Sequence, residues 1–384
     1  MRIADRVADL PPYLFAELDK KIEAKRAEGA DVISLGVGDP DHPTPRHIVE
    51  ALQEASEDPS THQYPSYYGS PALRKAIADW YLQRFGVELD PDTEVQPLIG
   101  SKEGIAHLAW AFVDPGDEVL VPDPGYPVYE IGTRLAGGTP VSLPHTAERG
   151  FLPDLASAAP TSRTKLMWLG FPSNPTAAVA EAPVFVEAVD FAREHDLLLA
   201  HDAAYSEMTF DGFVAPSVLQ VPGAKEVAVE LGSASKTFNM TGWRVGWAVG
   251  NAEAIRALAT VKTNIDSGIF EAVQRAAIAA LTGPMDHLEE QRAIYARRRD
   301  LLVGTLNDLG WDLNPPLGSF YVWFPTRDGA TSTEFCDLLL ERAAIVAAPG
   351  SGYGAHGEGW VRFSLTVPDD RLEEAVARLR KAFE

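Results

Sequence analysis

"EVAVELGSASKTFNMTGWRVGWAVG", Glu226 to Gly250, sets two short apolar runs on either side of two serines, a lysine and an arginine. Each run is too short for a helix and breaks at glycine or small polar residues, so both read as buried strands. Between them stand Ser233, Ser235 and Lys236, with Arg244 eight residues after the lysine. A lysine among small residues beside an apolar strand is poorly placed for solvent. Two hydroxyls and a guanidinium nearby raise the question of what they hold.

Moving outward, similar apolar runs occur at "DEVLVPDP", "TPVSLP", "KLMWLGFP" and "LLLAHD". Helix-like segments such as "APVFVEAVDFAREHD" separate most of them. Alternation of this kind predicts an α/β fold with a mostly parallel sheet flanked by helices. Upstream, residues 12–28 read as a helix stopped by Gly29. Residues 71–85 read as another, with Pro71 at its start, Gly86 after it and Leu73, Ile77, Trp80 and Tyr81 on its apolar face. A long charged helix over about residues 285–310 reads as a connector. The short mixed elements after it predict a smaller α+β domain. The expected division is 1–44 as an N-terminal arm and part of the small domain, 45–285 as the large domain, and 286–384 as the small C-terminal domain.

The bulk numbers exclude several classes. The 384 residues are 46% hydrophobic and 23% charged, an ordinary globular composition. A net charge of −22 would repel nucleic acid and anionic membrane, so neither is an expected partner. One cysteine, Cys336, rules out a disulfide framework within the chain and a cysteine-built zinc cluster. The nine histidines show no metal-ligand spacing, so no metal is expected. The opening residues lack the apolar run of a signal peptide, which makes the cytoplasm the expected location.

In parallel α/β sheets ligands gather at the carboxyl ends of the strands. Ser101 and Lys102, Tyr126, Asn174, Asp202 with Tyr205, and Ser233 with Ser235 and Lys236 all follow apolar runs; Arg244 precedes one. Sorted by chemistry, Ser101, Ser233, Ser235 and Arg244 make a phosphate site. Asp202 would need a cationic partner. Tyr126 offers a ring for stacking, and Tyr205 and Asn174 offer hydrogen bonds to a ring oxygen. Lys236 can form a Schiff base if its pKa is brought down. One ligand uses all of these at once, pyridoxal 5'-phosphate. Asp202 would keep its ring nitrogen protonated, so that the ring takes up electrons.

The chain resembles the class I and II aminotransferases, the fold-type I enzymes that use pyridoxal phosphate. "SNPTA" is similar to the family's N-P-T-G turn, "HDAAYSE" to its D-x-x-Y strand end, "SASKTFNMTGWRVG" to its S-x-S-K…G-x-R-x-G segment and "GWVRFSLT" to its R-x-S strand. "LPPYLFAEL", "GSKEG", "DPGYPVY" and "NMTGWR" resemble its LL-diaminopimelate aminotransferase subgroup. The resemblance implies Lys236 as Schiff-base lysine and proton shuttle, and Asp202 opposite the ring nitrogen. It implies Tyr205 and Asn174 on the ring 3-oxygen, Tyr126 stacked on the ring, and Ser101, Lys102, Ser233, Ser235 and Arg244 around the phosphate. Tyr64 would reach the phosphate of a second copy, making a homodimer with sites at the interface. Arg362 would clamp the substrate α-carboxylate, with Gly38 in the loop over it, and Tyr13 would join the substrate side.

What the resemblance implies for activity is ping-pong transfer of an amino group from an amino acid to a 2-oxo acid. LL-diaminopimelate and 2-oxoglutarate come first as substrates. Aspartate, alanine and aromatic amino acids follow, then a C–S lyase reaction, and more distantly a cofactor-binding regulator. Two positions depart from the pattern. Ala177 replaces the glycine of N-P-T-G, which is tolerable at a negative φ. Ser267 stands where the subgroup has asparagine, which bears on the reading of the distal substrate group. Ser233–Lys236 is formally S-x-x-K, but the companion S-D-N and K-T-G motifs of penicillin-binding enzymes are absent. "GVGDPD" and "PGSGYG" hold close glycines but are not G-x-G-x-x-G, so a dinucleotide-binding dehydrogenase is not expected.

Overall fold

A computed structural model describes residues 1–11 and 14–383, and for residues 14–17 the backbone alone. Tyr13 lies outside the described residues. The strands in chain order are β1 (Ile33–Ser34), β2 (Val95–Leu98), β3 (Glu118–Asp123), β4 (Thr139–Pro144), β5 (Thr164–Gly170), β6 (Leu198–Asp202), β7 (Ala228–Ser233) and β8 (Gly246–Gly250). They continue with β9 (Tyr321–Pro325), β10 (Ile345–Val346), β11 (Ala348–Pro349) and β12 (Trp360–Ser364).

Seven strands form one sheet in the order β2-β8-β7-β6-β5-β3-β4. Pairing is parallel from β4 through β7, while β8 runs antiparallel to both β7 and β2. A parallel return needs a crossover of about a dozen residues or more, usually built on a helix. The twelve residues between β7 and β8 hold only the short helix Ala234–Thr237 and a 3-10 turn, neither long enough to cross the sheet, and the chain folds back antiparallel. The reversal has a consequence for the site. β8 starts at the edge where the other strands end, which brings Arg244 to the same edge as Asp202 and Lys236.

Helices cover both faces of this sheet, and every residue of β7 is buried, as expected for a doubly covered strand. The helix Pro71–Phe85 forms where its signals place it. Ser70 Oγ accepts the Leu73 N–H, Pro71 opens the first turn, and Gly86 ends it at a φ of +67°. Leu73, Ile77 and Tyr81 face the core.

A separate apolar cluster surrounds the three-stranded antiparallel sheet β11-β12-β9. The helix Asp286–Asp308 is more than the expected connector, because Leu288, Tyr295, Leu302, Val303 and Leu306 enter that core. Its Arg298, buried, bonds both oxygens of Asp41 at 2.8 Å and reaches Asp369 at 2.6 Å. β1 pairs with β10 in parallel, so the N-terminal segment packs on the C-terminal one.

The negative φ on which tolerance of Ala177 depended is not found. Its φ is +58°, in the left-handed region. Ala177 N–H donates to Ser173 O at 3.1 Å and Ser173 N–H to Ala178 O at 2.8 Å, and the two bonds close the turn in that conformation. An alanine there carries about 1 kcal/mol of strain relative to glycine, and the buried methyl recovers part of it.

Candidate active site

The carboxyl ends of β5, β6 and β7 and the start of β8 open onto a cavity of about 570 Å³. Ser101, Lys102, Tyr126, Asn174, Asp202, Tyr205, Ser233, Ser235, Lys236, Arg244 and Gly38 all line it. On a chain of net charge −22 this cavity gathers Lys102, Lys236 and Arg244 against Asp39 and Asp202. A net positive hollow in an acidic molecule focuses anionic ligands.

Lys236 follows β7 in the short helix that Ser233 caps, Ser233 Oγ accepting the Ser235 N–H at 3.1 Å. Its ammonium is drawn into the fold, donates to Gly38 O at 3.0 Å and lies 5.5 Å from the centre of the Phe320 ring. Burial lowers the amine to about 8. The Asp39 carboxylate opposes that effect, and the Arg362 and Arg244 guanidinium groups add to it.

Asp202 ends β6. Its Oδ2 accepts from the Tyr129 hydroxyl at 3.0 Å, whereas Oδ1 is buried without a hydrogen-bond partner. Burial holds the carboxyl above its ordinary range, against the Tyr129 hydrogen bond, the neighbouring His201 and the Ala204 N–H, which lower it. A buried carboxylate oxygen with nothing to meet it is costly unless a ligand supplies the missing donor.

Tyr205 is buried and its hydroxyl lies 2.9 Å from that of Tyr321. Asn174 Oδ1 accepts from Arg362 Nη1 at 2.6 Å, and Arg362 Nη2 donates to Gly36 O at 2.6 Å. Arg362 is fully buried, with Cζ 4.0 Å from the centre of the Tyr321 ring. It therefore stands behind the wall made by Asn174 and Tyr321.

The end of the cavity near Arg244 is shaped for an anion. Gly100 holds a φ of +81° just before the helix Ser101–Phe112, and a Cβ there would fall 2.2 Å from Arg244 Nη2. Only glycine leaves room for the guanidinium beside the first turn of that helix. Arg244 is itself at a φ of +59°, and its Nη1 donates to Thr241 O at 2.8 Å. Tyr64 is 85% exposed and stays outside the cavity. Ser267 likewise stays outside it.

Tyr129, Tyr321 and Asp39 are among the lining residues that the sequence reading did not single out. Tyr129 stacks on Trp168 at 5.0 Å and 11°, which fixes its hydroxyl toward Asp202. It lies in the first turn of the helix that starts at Val128, a place that does not by itself mark a site residue. Tyr321 comes from β9 in the other sheet, and a Cβ at Gly38 would lie 2.0 Å from its hydroxyl. No local spacing marks that meeting.

The residues fit pyridoxal phosphate on two independent observations. Asp202 Oδ1 lacks a donor where a protonated ring nitrogen would supply one, and the Lys236 amine is lowered in the same cavity as the Gly100–Arg244 cradle.

Comparison with known proteins agrees. The aminotransferase class I and II family matches residues 30–379. LL-diaminopimelate aminotransferase of Desulforudis audaxviator is 58% identical over 98% of this chain and 97% of its own. The enzyme of the same name from Moorella thermoacetica is 55% identical over 99% and 98%. Among solved structures, substrate-bound BacF from Bacillus subtilis superposes with a TM-score of 0.94 at 41% identity, over 99% of this chain and 98% of its own. A single mutant of Thermus thermophilus aspartate aminotransferase gives 0.93 at 33% identity, over the whole of both chains. The chain belongs to the class I and II aminotransferases, fold-type I enzymes that use pyridoxal phosphate to move an amino group from an amino acid to a 2-oxo acid.

Proposed function

We propose that the amino donor is LL-diaminopimelate and the acceptor 2-oxoglutarate. The observation that carries this reading is the 58% identity, over nearly the full length of both chains, to an enzyme of that name. Its test is a donor panel at fixed 2-oxoglutarate: LL-diaminopimelate, aspartate, alanine and phenylalanine. LL-diaminopimelate should give the highest kcat/KM; a higher value for any other donor would reassign the substrate.

We further assign the residues of the cavity as follows. Ser101, Lys102, Ser233, Ser235 and Arg244 hold the phosphate. Tyr126 lies against the ring, Tyr205 and Asn174 bond the ring oxygen, and Asp202 faces the ring nitrogen through the oxygen that Tyr129 leaves free. The bound cofactor supplies an electrophilic carbonyl and a ring that accepts electrons. Lys236 would hold it covalently, and its free Nζ would take the substrate α-proton. An amine lowered to about 8 can hold that proton and return it near neutral pH. Arg362 would clamp the substrate carboxylate by exchanging its bonds to Asn174 and Gly36 for the carboxylate, which requires the wall of Asn174 and Tyr321 to open.

Residues 45–285 would form the large cofactor domain, with 1–44 and 286–384 forming the small one. A homodimer completes the proposal. Tyr64, Tyr67, Tyr68, Ile265 and Phe270 are exposed on two adjoining loops, an apolar surface that a second copy would cover. Tyr64 would then serve the other copy's phosphate.

A further inference from the structure

A buried ion cluster lies behind the phosphate end of the cavity, outside the groups assigned above. Lys262, in the last turn of the helix Ala252–Thr263, is 1% exposed. Its Nζ donates to Glu103 Oε1 at 3.0 Å and to Asp266 Oδ1 at 2.8 Å. His107 Nδ1 stands 3.1 Å from Glu103 Oε1. Glu103, His107 and Asp266 converge closely enough to hold a metal ion. The Lys262 ammonium already sits within hydrogen-bond reach of both acids, so the cluster holds a lysine where a cation would go.

The two acids each grip a different backbone segment. Glu103 Oε2 accepts the Ile99 N–H at 2.5 Å, at the base of the turn that presents Gly100, Ser101 and Lys102. Asp266 Oδ1 accepts the Gly268 N–H at 2.8 Å. A Cβ on Gly268 would lie 2.9 Å from Ser66 O, which sets this loop directly against the loop of exposed tyrosines. Without Lys262 two largely buried carboxylates would face each other, and Glu103 would lose the cation that holds it under Ile99.

We propose that Lys262 is a positioning residue for cofactor binding. Through Glu103 it sets the Ile99–Lys102 turn, and through Asp266 it joins that turn to the loop at Ser66. The proposal rests on the assignment of the cofactor phosphate to Ser101, Lys102 and Arg244.

The test titrates apoprotein with pyridoxal 5'-phosphate and, separately, with pyridoxal, which lacks the phosphate, reading visible absorbance and protein fluorescence. Lys262→Met should weaken pyridoxal phosphate by roughly tenfold to a hundredfold, the loss common when an outer partner of a binding group is removed. Pyridoxal affinity should stay within about twofold. Equal weakening of both ligands, or of neither, would overturn the proposal. Should Lys262→Met fail to fold, Asp266→Asn gives the same readout with a smaller selective loss, and an unchanged ratio of the two affinities there would overturn it. A wild-type protein that binds pyridoxal as tightly as its phosphate would refute the phosphate assignment itself.

Discussion

The lowered amine of Lys236 makes a quantitative prediction for the apoprotein. Burial takes it from 10.5 to about 8. At pH 7 roughly one molecule in ten then carries a free amine, against fewer than one in a thousand for an ordinary lysine. Only the free amine attacks a carbonyl, so capture of a small aldehyde should rise about tenfold per pH unit below 8 and level off above it. Apoprotein is mixed with pyridoxal across pH 6 to 10, the adduct is trapped with borohydride, and its position is read by mass spectrometry. The expected profile has its inflection near 8 and its label on Lys236. Asp39→Asn should move the inflection lower, since the Asp39 carboxylate raises the lysine. The folded value lies below the unfolded one, so the buried ammonium destabilises apoprotein fully below pH 8, and that penalty fades as pH rises toward 10.5. An inflection near 10, or a label spread over surface lysines, would refute the reasoning.

Asp202→Asn should cut transamination by on the order of a hundredfold or more, measured as kcat. In apoprotein the same change should stabilise the fold at neutral pH. The folded pKa of Asp202 is raised, so its penalty is present when it ionises and disappears below the unfolded value of 3.8. Melting scans at neutral and acid pH read that difference. Gly100→Val drives a side chain into Arg244 at a left-handed φ. Titration should show pyridoxal phosphate weakened by tenfold or more, with pyridoxal little changed. Arg298→Met strips Asp41 and Asp369 of their shared partner and should cost about 3 kcal/mol in urea unfolding.

What the sequence made legible was what strand ends carry. Asp202, Ser233, Ser235 and Lys236 each follow a buried parallel strand, and the topology alone brings such positions to one edge. Arg244 joined them for a reason the reading did not contain, the reversal of β8 after a connection with no helix long enough to span the sheet. Tyr321 was illegible because its meeting with Gly38 and Tyr205 spans two sheets and more than a hundred residues. Tyr129 was illegible for a different reason: nothing in a tyrosine's identity tells a stacked core ring from one whose hydroxyl meets a buried carboxylate. Ala177 shows the limit of local inference, since the turn's φ is set by hydrogen bonds to Ser173 and Ala178 rather than by the residue that occupies it.

The most direct test of the central claim is a single half-reaction followed in the spectrometer. Purified protein is loaded with pyridoxal 5'-phosphate, excess LL-diaminopimelate is added without any oxo acid, and the visible band and released oxo acid are measured together. The account predicts loss of the band with one equivalent of oxo acid per active site. It also predicts return of the band on adding 2-oxoglutarate, and neither change in Lys236→Ala. A band that no amino acid moves, or a Lys236→Ala protein that turns over at the wild-type rate, would contradict it.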